Sequence, residues 1–308
     1  MLCTSSVCPN VGKYRLARTP WVNHSWHATL YVNARGLTTS IIPDRAVSVE
    51  IAFDVLDHAV IGATTDGSRA GFPLGAMSVA EFQARFLDLI GQLGGKPQFD
   101  GRPNEVPNPV RFRDDRQTRP YDGDAVGRFF KAIVAINRVL YRFRTAYIGK
   151  VSPVHLFWGS FDLAVTRFSG RPAPLHPGGI PGLPDDVTRE AYSHEVSSAG
   201  FWPGGGGTNF PAFYSYAYPA PKGFADAQPA PDGAYFDHKL GEFRLPYEVV
   251  RKSSEPEKTL IAFLERMYRA AADLGDWDRE ALECPIGEPR RPRPLNSESV
   301  LGLKERAT

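Results

Sequence analysis

Apolar and polar residues alternate from Trp26 to Asn33, with Trp26, Ala28, Leu30 and Val32 on one face and His27, Thr29, Tyr31 and Asn33 on the other. Successive side chains of a strand point to opposite faces, so the pattern predicts a half-buried strand. Val47 to Leu56 and Val60 to Thr64 predict two more, with turn signals at Asp57-His58 and Asp66-Gly67, and a short strand follows over Arg69 to Leu74. The period then changes. Ser78 with Glu81 three residues on makes a capping box, and Val79, Phe82, Phe86, Leu89, Ile90 and Leu93 form a helical stripe that Gly94-Gly95 stops.

Lys96 to Tyr121 shows neither period and reads as a connection over the surface. A second helix begins near Asp122 or Asp124, its apolar face built from Val126, Phe129, Phe130, Ile133, Ile136, Leu140 and Phe143, with a basic stripe on the solvated side. Ser152 to Arg171 is strand-like and apolar on both faces. Strands are further expected over Glu190 to Ser198 and Phe210 to Tyr218, with short ones near residues 234–236 and 242–245. Glu257 to Leu274 is a third helix. The tail from Cys284, rich in proline and arginine, reads as extended or disordered.

Both halves run through strands, a short strand ending at Phe72-Pro73 or Leu245-Pro246, and then an amphipathic helix. This order points to an α+β fold of two similar antiparallel-sheet-plus-helix lobes, related by internal duplication. The expected division is an N-terminal lobe at 11–95, a connection and bridging helix at 96–150, a C-terminal lobe carrying the site at 151–283, and a tail at 284–308.

Composition narrows the function classes. The 36 basic and 34 acidic side chains leave a net charge of only +2, so no global field draws nucleic acid or an anionic membrane. There is no secretory h-region and no apolar run long enough to span a bilayer. The three cysteines, Cys3, Cys8 and Cys284, have no metal or redox spacing, and the expected location is the cytoplasm.

Chemistry concentrates in the stretch from 152 to 171 and the one after it. If each is an unbroken strand, Trp158, Ser160, Asp162 and Thr166 share one face, and Tyr192, His194, Ser198 and Trp202 share a face of the neighbour. Pairing of the two would bring Asp162 to His194. A carboxylate fixes an imidazole's tautomer and leaves its other nitrogen free to move a proton. His194, Asp162 and Glu195 are therefore the candidate catalytic residues. Arg167 and Arg171 are placed to hold a carboxylate or phosphate, with Trp158, Ser160, Tyr192 and Trp202 completing the substrate wall. A buried structural network is the competing account of the same residues.

Other chemistries lack their signatures. Gly204 to Gly207 have no Lys-Ser/Thr after them and read as a turn or lid, not a phosphate loop. Gly159-Ser160-Phe161-Asp162 lacks the second glycine of a nucleophile elbow. His24 and His27 would face opposite ways in an extended chain, and no metal site is assigned. The cofactor is left open.

Thr19-Pro20-Trp21-Val22-Asn23-His24-Ser25-Trp26-His27, the stretch around Trp158, Ala191-Tyr192-Ser193-His194-Glu195-Val196-Ser197-Ser198, Gly200-Phe201-Trp202-Pro203-Gly204 and Phe213-Tyr214-Ser215-Tyr216-Ala217-Tyr218-Pro219 together resemble the bacterial DUF5996 family of uncharacterised proteins, from about Val11 to Glu283. The resemblance implies no reaction, cofactor or catalytic residue. Met1 to Asn10 departs from it, which predicts a shortened or misassigned start, without an N-terminal element that members of the family have over the sheet. The expected function is a small-molecule enzyme acting on a polar or anionic substrate through a His–carboxylate pair. The alternative is a ligand-binding or scaffold protein whose His/Asp/Arg cluster is structural.

Overall fold

A computed structural model describes residues 2–106, 108–205 and 208–293. It has two antiparallel sheets and several helices, an α+β architecture. The chain divides into two compact units, neither of them one continuous stretch. The first comprises Met1–Asn137, Val154–Ala164 and Leu175–Ser193, the second Arg138–Pro153, Val165–Pro174 and His194–Thr308.

In the first unit, β1 (Tyr31–Val32), β2 (Gly36–Asp44), β3 (Val47–Asp54), β4 (Ala59–Thr64) and β5 (Arg69–Pro73) form a meander in sequence order. Helix α2 (Val79–Gln92) starts where the capping box predicts, the Ser78 hydroxyl accepting from the Glu81 amide at 3.1 Å. Its stripe covers the sheet, with Phe82 stacked on Phe53 at 6.1 Å and edge-on to Phe72 at 5.3 Å. Helix α1 (Leu2–Leu16) packs beside it. Tyr14 meets Phe86 edge-on at 5.8 Å and donates to Asp44 at 2.8 Å.

Trp26 to Asn33 is not one strand. His24 and Ser25 both have φ near +59°, which bends Asn23–Ala28 into a 3-10 turn, and extended pairing begins only at Leu30. Buried Arg15 holds the bend, its Nε donating to the His27 carbonyl at 2.7 Å and its Nη1 to the carbonyls of Thr29 and Thr39.

The run from 152 to 171 is a hairpin, not an unbroken strand. In the first unit β6 (His155–Phe157) pairs with the opening residues of β7 (Asp162–Pro172), Phe157 opposite Asp162. The chain turns through Trp158, Gly159, Ser160 and Phe161, and Phe161 takes φ +59°. Helix α3 (Gly123–Thr145) lies close to its predicted bounds.

In the second unit the strand order is β10 (Tyr235–Asp237), β11 (Glu242–Pro246), β9 (Ala212–Tyr218), β8 (His194–Trp202), then β7. This differs from the first sheet's sequential order, so the shared sequence of parts does not become a shared topology. Phe201, Phe213 and Leu245 line up on one face of the sheet. Helix α6 (Pro256–Leu274) lies on that same face, its Tyr268 against Arg167 of β7. Helix α4 (Asp185–Ala191), in the first unit, occupies the start of the stretch expected to be a strand from Glu190. Tyr192 therefore caps a helix and is not on the β8 face with His194. Two short helices, α5 (Tyr247–Lys252) and α7 (Arg279–Leu282), complete the described fold. Of the predicted glycine lid, Gly206 and Gly207 lie outside the described residues, as does the tail beyond residue 293.

Candidate functional site

The hairpin turn at 158–161 is where polar groups of the first unit collect. The Trp158 indole donates to the Ala28 carbonyl at 2.6 Å, which pins the ring under α1. Gly12 makes that approach possible, because a Cβ there would overlap three carbons of the indole. One residue on, the Lys13 ammonium lies 6.0 Å from the same ring's centroid, donates to Asn104 Oδ1 at 2.6 Å and sits 3.6 Å from Asp100. Burial lowers the Lys13 pKa, and Asp100 opposes that shift.

From the aperiodic connection, Glu105 reaches the same turn. Its backbone has φ +59°, and its Oε1 lies so close to Gly159 that a Cβ there would overlap it. The residue taken whole is exposed, but its carboxyl end is turned in against that glycine. Burial of the carboxyl, and secondly the charge of Asp162, push its pKa up from the usual carboxylate range to about 7. Asp162 is buried and accepts a hydrogen bond from the Ser160 hydroxyl. Two carboxyl groups that repel one another separate into one that ionises and one that keeps its proton. Left-handed backbone at Glu105 and Phe161, both non-glycine, adds strain at the same place, as functional sites commonly do.

The remaining residues singled out from the sequence are distributed differently. Tyr192 stacks on His176 at 4.8 Å in the first unit. His194 opens β8 in the second unit, half-buried. Glu195 and Arg171 do come together there, Nη2 lying 2.8 Å from Oε2, while Ser169 donates to the same oxygen at 2.7 Å. Arg171 also donates to the carbonyls of Asp276 and Gly275, so its fork braces the strand end. Glu195, Tyr218, Pro219, Ala271 and Trp277 line a small groove of about 50 Å³ beside it. That is far below the range for ligand sites, and its acidic group is already neutralised by Arg171.

Arg167 is almost completely buried. Its guanidinium lies 3.5 Å from the Phe143 ring centroid and 4.3 Å from that of Tyr268, and Nη2 donates to the Phe143 carbonyl at 2.5 Å. Burial lowers its pKa, against the attraction of Glu265 at 3.4 Å. Trp202 lies under the guanidinium of Arg244 at 5.1 Å.

His24 and His27 serve the fold. The His24 amide donates to Glu190 at 2.9 Å and its ring Nδ1 bonds the Ala191 carbonyl at 2.7 Å, while His27 Nδ1 accepts from the Val22 amide at 3.2 Å. Among the described residues no three His, Cys, Asp or Glu side chains are grouped to hold a metal ion.

A family of unknown function (DUF5996) matches residues 6–284. The chain belongs to it. No curated protein and no solved structure matches. The DUF5996 match begins inside α1 and ends just after α7, so it contains Lys13, Glu105, Trp158, Asp162 and the sheet of the second unit. Lys13 and Glu105 carry no periodic or motif signal. Only the general tendency of loops to hold functional groups pointed toward Glu105.

Proposed function

We propose that this member of DUF5996 is a small-molecule enzyme that works by general acid–base transfer on a polar or anionic substrate. The observation that carries the reading is the position of the Glu105 carboxyl, turned in against Gly159 where burial and the charge of Asp162 push its pKa up to about 7. A carboxyl poised near 7 can give and take a proton under working conditions. Glu105 thus takes the role that strand alternation assigned to His194. Asp162, held by the Ser160 hydroxyl, is the neighbouring carboxyl whose charge favours the protonated form of Glu105. Lys13 supplies the positive charge that holds an anionic or strongly polar group of the substrate. The cysteines at the chain ends support a reducing, cytoplasmic setting.

The test has two readouts. Carboxyl carbon NMR of the labelled protein is expected to show one glutamate titrating near pH 7, absent from Glu105→Gln. Turnover found in a panel of small polar metabolites is expected to fall about a hundredfold or more in Glu105→Gln and in Asp162→Asn. A Glu105 that titrates as an ordinary carboxylate, or turnover that survives both substitutions, overturns the reading.

A non-catalytic ligand-binding or scaffold role is the second reading, favoured by the second unit. Arg171 is committed to Glu195 and two carbonyls, and Arg167 to aromatic rings and a carbonyl. Under that reading the substitutions named above change stability, and no member of the substrate panel is turned over.

A further inference from the structure

The face of the second sheet that turns away from α6 carries a different set of residues. Strand register puts Arg244 opposite Tyr214 and Tyr214 opposite Gly200, with Ser198 opposite Tyr216 and Trp202 two residues beyond Gly200. The Thr166 and Ser198 hydroxyls bond to each other at 2.9 Å on the same side. Tyr214 and Tyr216 stack with centroids 6.1 Å apart. Gly200 is buried and breaks this row of large side chains, as strand glycines do where something must approach the backbone closely.

Arg244 is 1% exposed. Its Nη1 donates to Glu242 at 3.2 Å and its guanidinium lies over Trp202, but Nε and Nη2 have no hydrogen-bond partner among the described residues. Those two nitrogens form one edge of the guanidinium plane, the edge whose parallel N–H groups match the two oxygens of a carboxylate or phosphate. A buried donor left unpaired is costly, and a buried pair left open on its bidentate edge is shaped for an oxyanion.

We infer that Arg244 anchors a binding site for a small organic oxyanion with a flat ring, the oxyanion on the Nε–Nη2 edge and the ring against Trp202 and the Tyr214–Tyr216 stack over Gly200. This site is independent of the acid–base reading and contains none of its residues. Benzoate and phenyl phosphate are the probes, and they separate a carboxylate from a phosphate ligand. At least one is expected to bind saturably by calorimetry, to raise the melting temperature with concentration and to shift the Arg244 Nε–Hε resonance. Arg244→Met is expected to weaken binding at least about tenfold, and Arg244→Lys to weaken it too, since an ammonium has no fork. Trp202→Leu is expected to weaken phenyl phosphate more than inorganic phosphate. Should Arg244→Met not fold, Arg244→Lys and the wild-type resonance decide. Binding unchanged in the arginine variants, an unmoved Arg244 resonance, or no saturable binding of either probe overturns the site.

Discussion

The carboxyl oxygen Oε1 of Glu105 lies too close to Gly159 for a Cβ to fit there. Gly159→Ala therefore expels the carboxyl from the turn. The obstructing atom is the far end of a flexible side chain, so the fold survives at about 1 kcal/mol or less, below the usual range for overpacking. The proton is expected to leave with the niche. In Gly159→Ala the Glu105 titration moves from near 7 toward the ordinary carboxylate range, and turnover falls as in Glu105→Gln. An unmoved titration by carboxyl NMR would show that the glycine does not create the niche.

The same group sets a pH signature of stability. Its folded pKa of about 7 exceeds the ordinary glutamate value of 4.5, so between those values the native state holds more proton than the unfolded chain. Stability falls with rising pH wherever that is so. The contribution of Glu105 is complete below 4.5 and is lost as pH rises through 7. Glu105→Gln cannot ionise and is expected to flatten the decline, gaining on the wild type in urea midpoint between pH 5 and pH 8. Parallel wild-type and variant profiles would remove Glu105 as the cause.

What could be read in advance was local, and what could not was long-range. Ser78, Glu81 and the stripe that follows define α2 from a single stretch of chain, and the structure places the helix there. Alternation from Trp26 to Asn33 was read as strand throughout, because nothing in the pattern reveals left-handed backbone at His24 and Ser25. Alternation likewise carried Trp158, Ser160 and Asp162 along one face of a strand that in fact turns back at Gly159. Helix α4 was missed because seven residues give too few turns for a 3.6 period to show. Glu105 sits in a connection without pattern, and its chemistry comes from a glycine and an aspartate in a distant segment.

Gly12 lies inside α1, where alanine is the better helix former by about 1 kcal/mol. Propensity alone predicts that Gly12→Ala stabilises. Packing predicts the reverse, because the new methyl overlaps the Trp158 indole, which the Ala28 carbonyl holds in place. Moving a buried, bonded ring costs about 1–3 kcal/mol, more than the propensity gain. The expected outcome is a net loss in urea denaturation, accompanied by a changed Trp158 fluorescence. A stabilised variant would mean that the ring yields freely and that the contact between α1 and the turn is loose.

Arg167 separates a binding role from a structural one. Its guanidinium is pressed on Phe143 and Tyr268 and donates to the Phe143 carbonyl, so truncation removes packing along with charge. Arg167→Ala is expected to lose about 2–4 kcal/mol, the range for emptying a large buried side chain. Arg167→Met keeps much of the volume and avoids burying a charge whose Nε and Nη1 have no hydrogen-bond partner among the described residues, so it is expected to lose far less. Denaturant midpoints give the comparison, and turnover per folded molecule is expected to be unchanged in both variants. A methionine variant of wild-type stability that no longer turns over substrate would restore Arg167 as an anion clamp. The aromatic cage argues against that outcome: a guanidinium sandwiched between rings, with its Nη2 spent on a main-chain carbonyl, has no fork to offer.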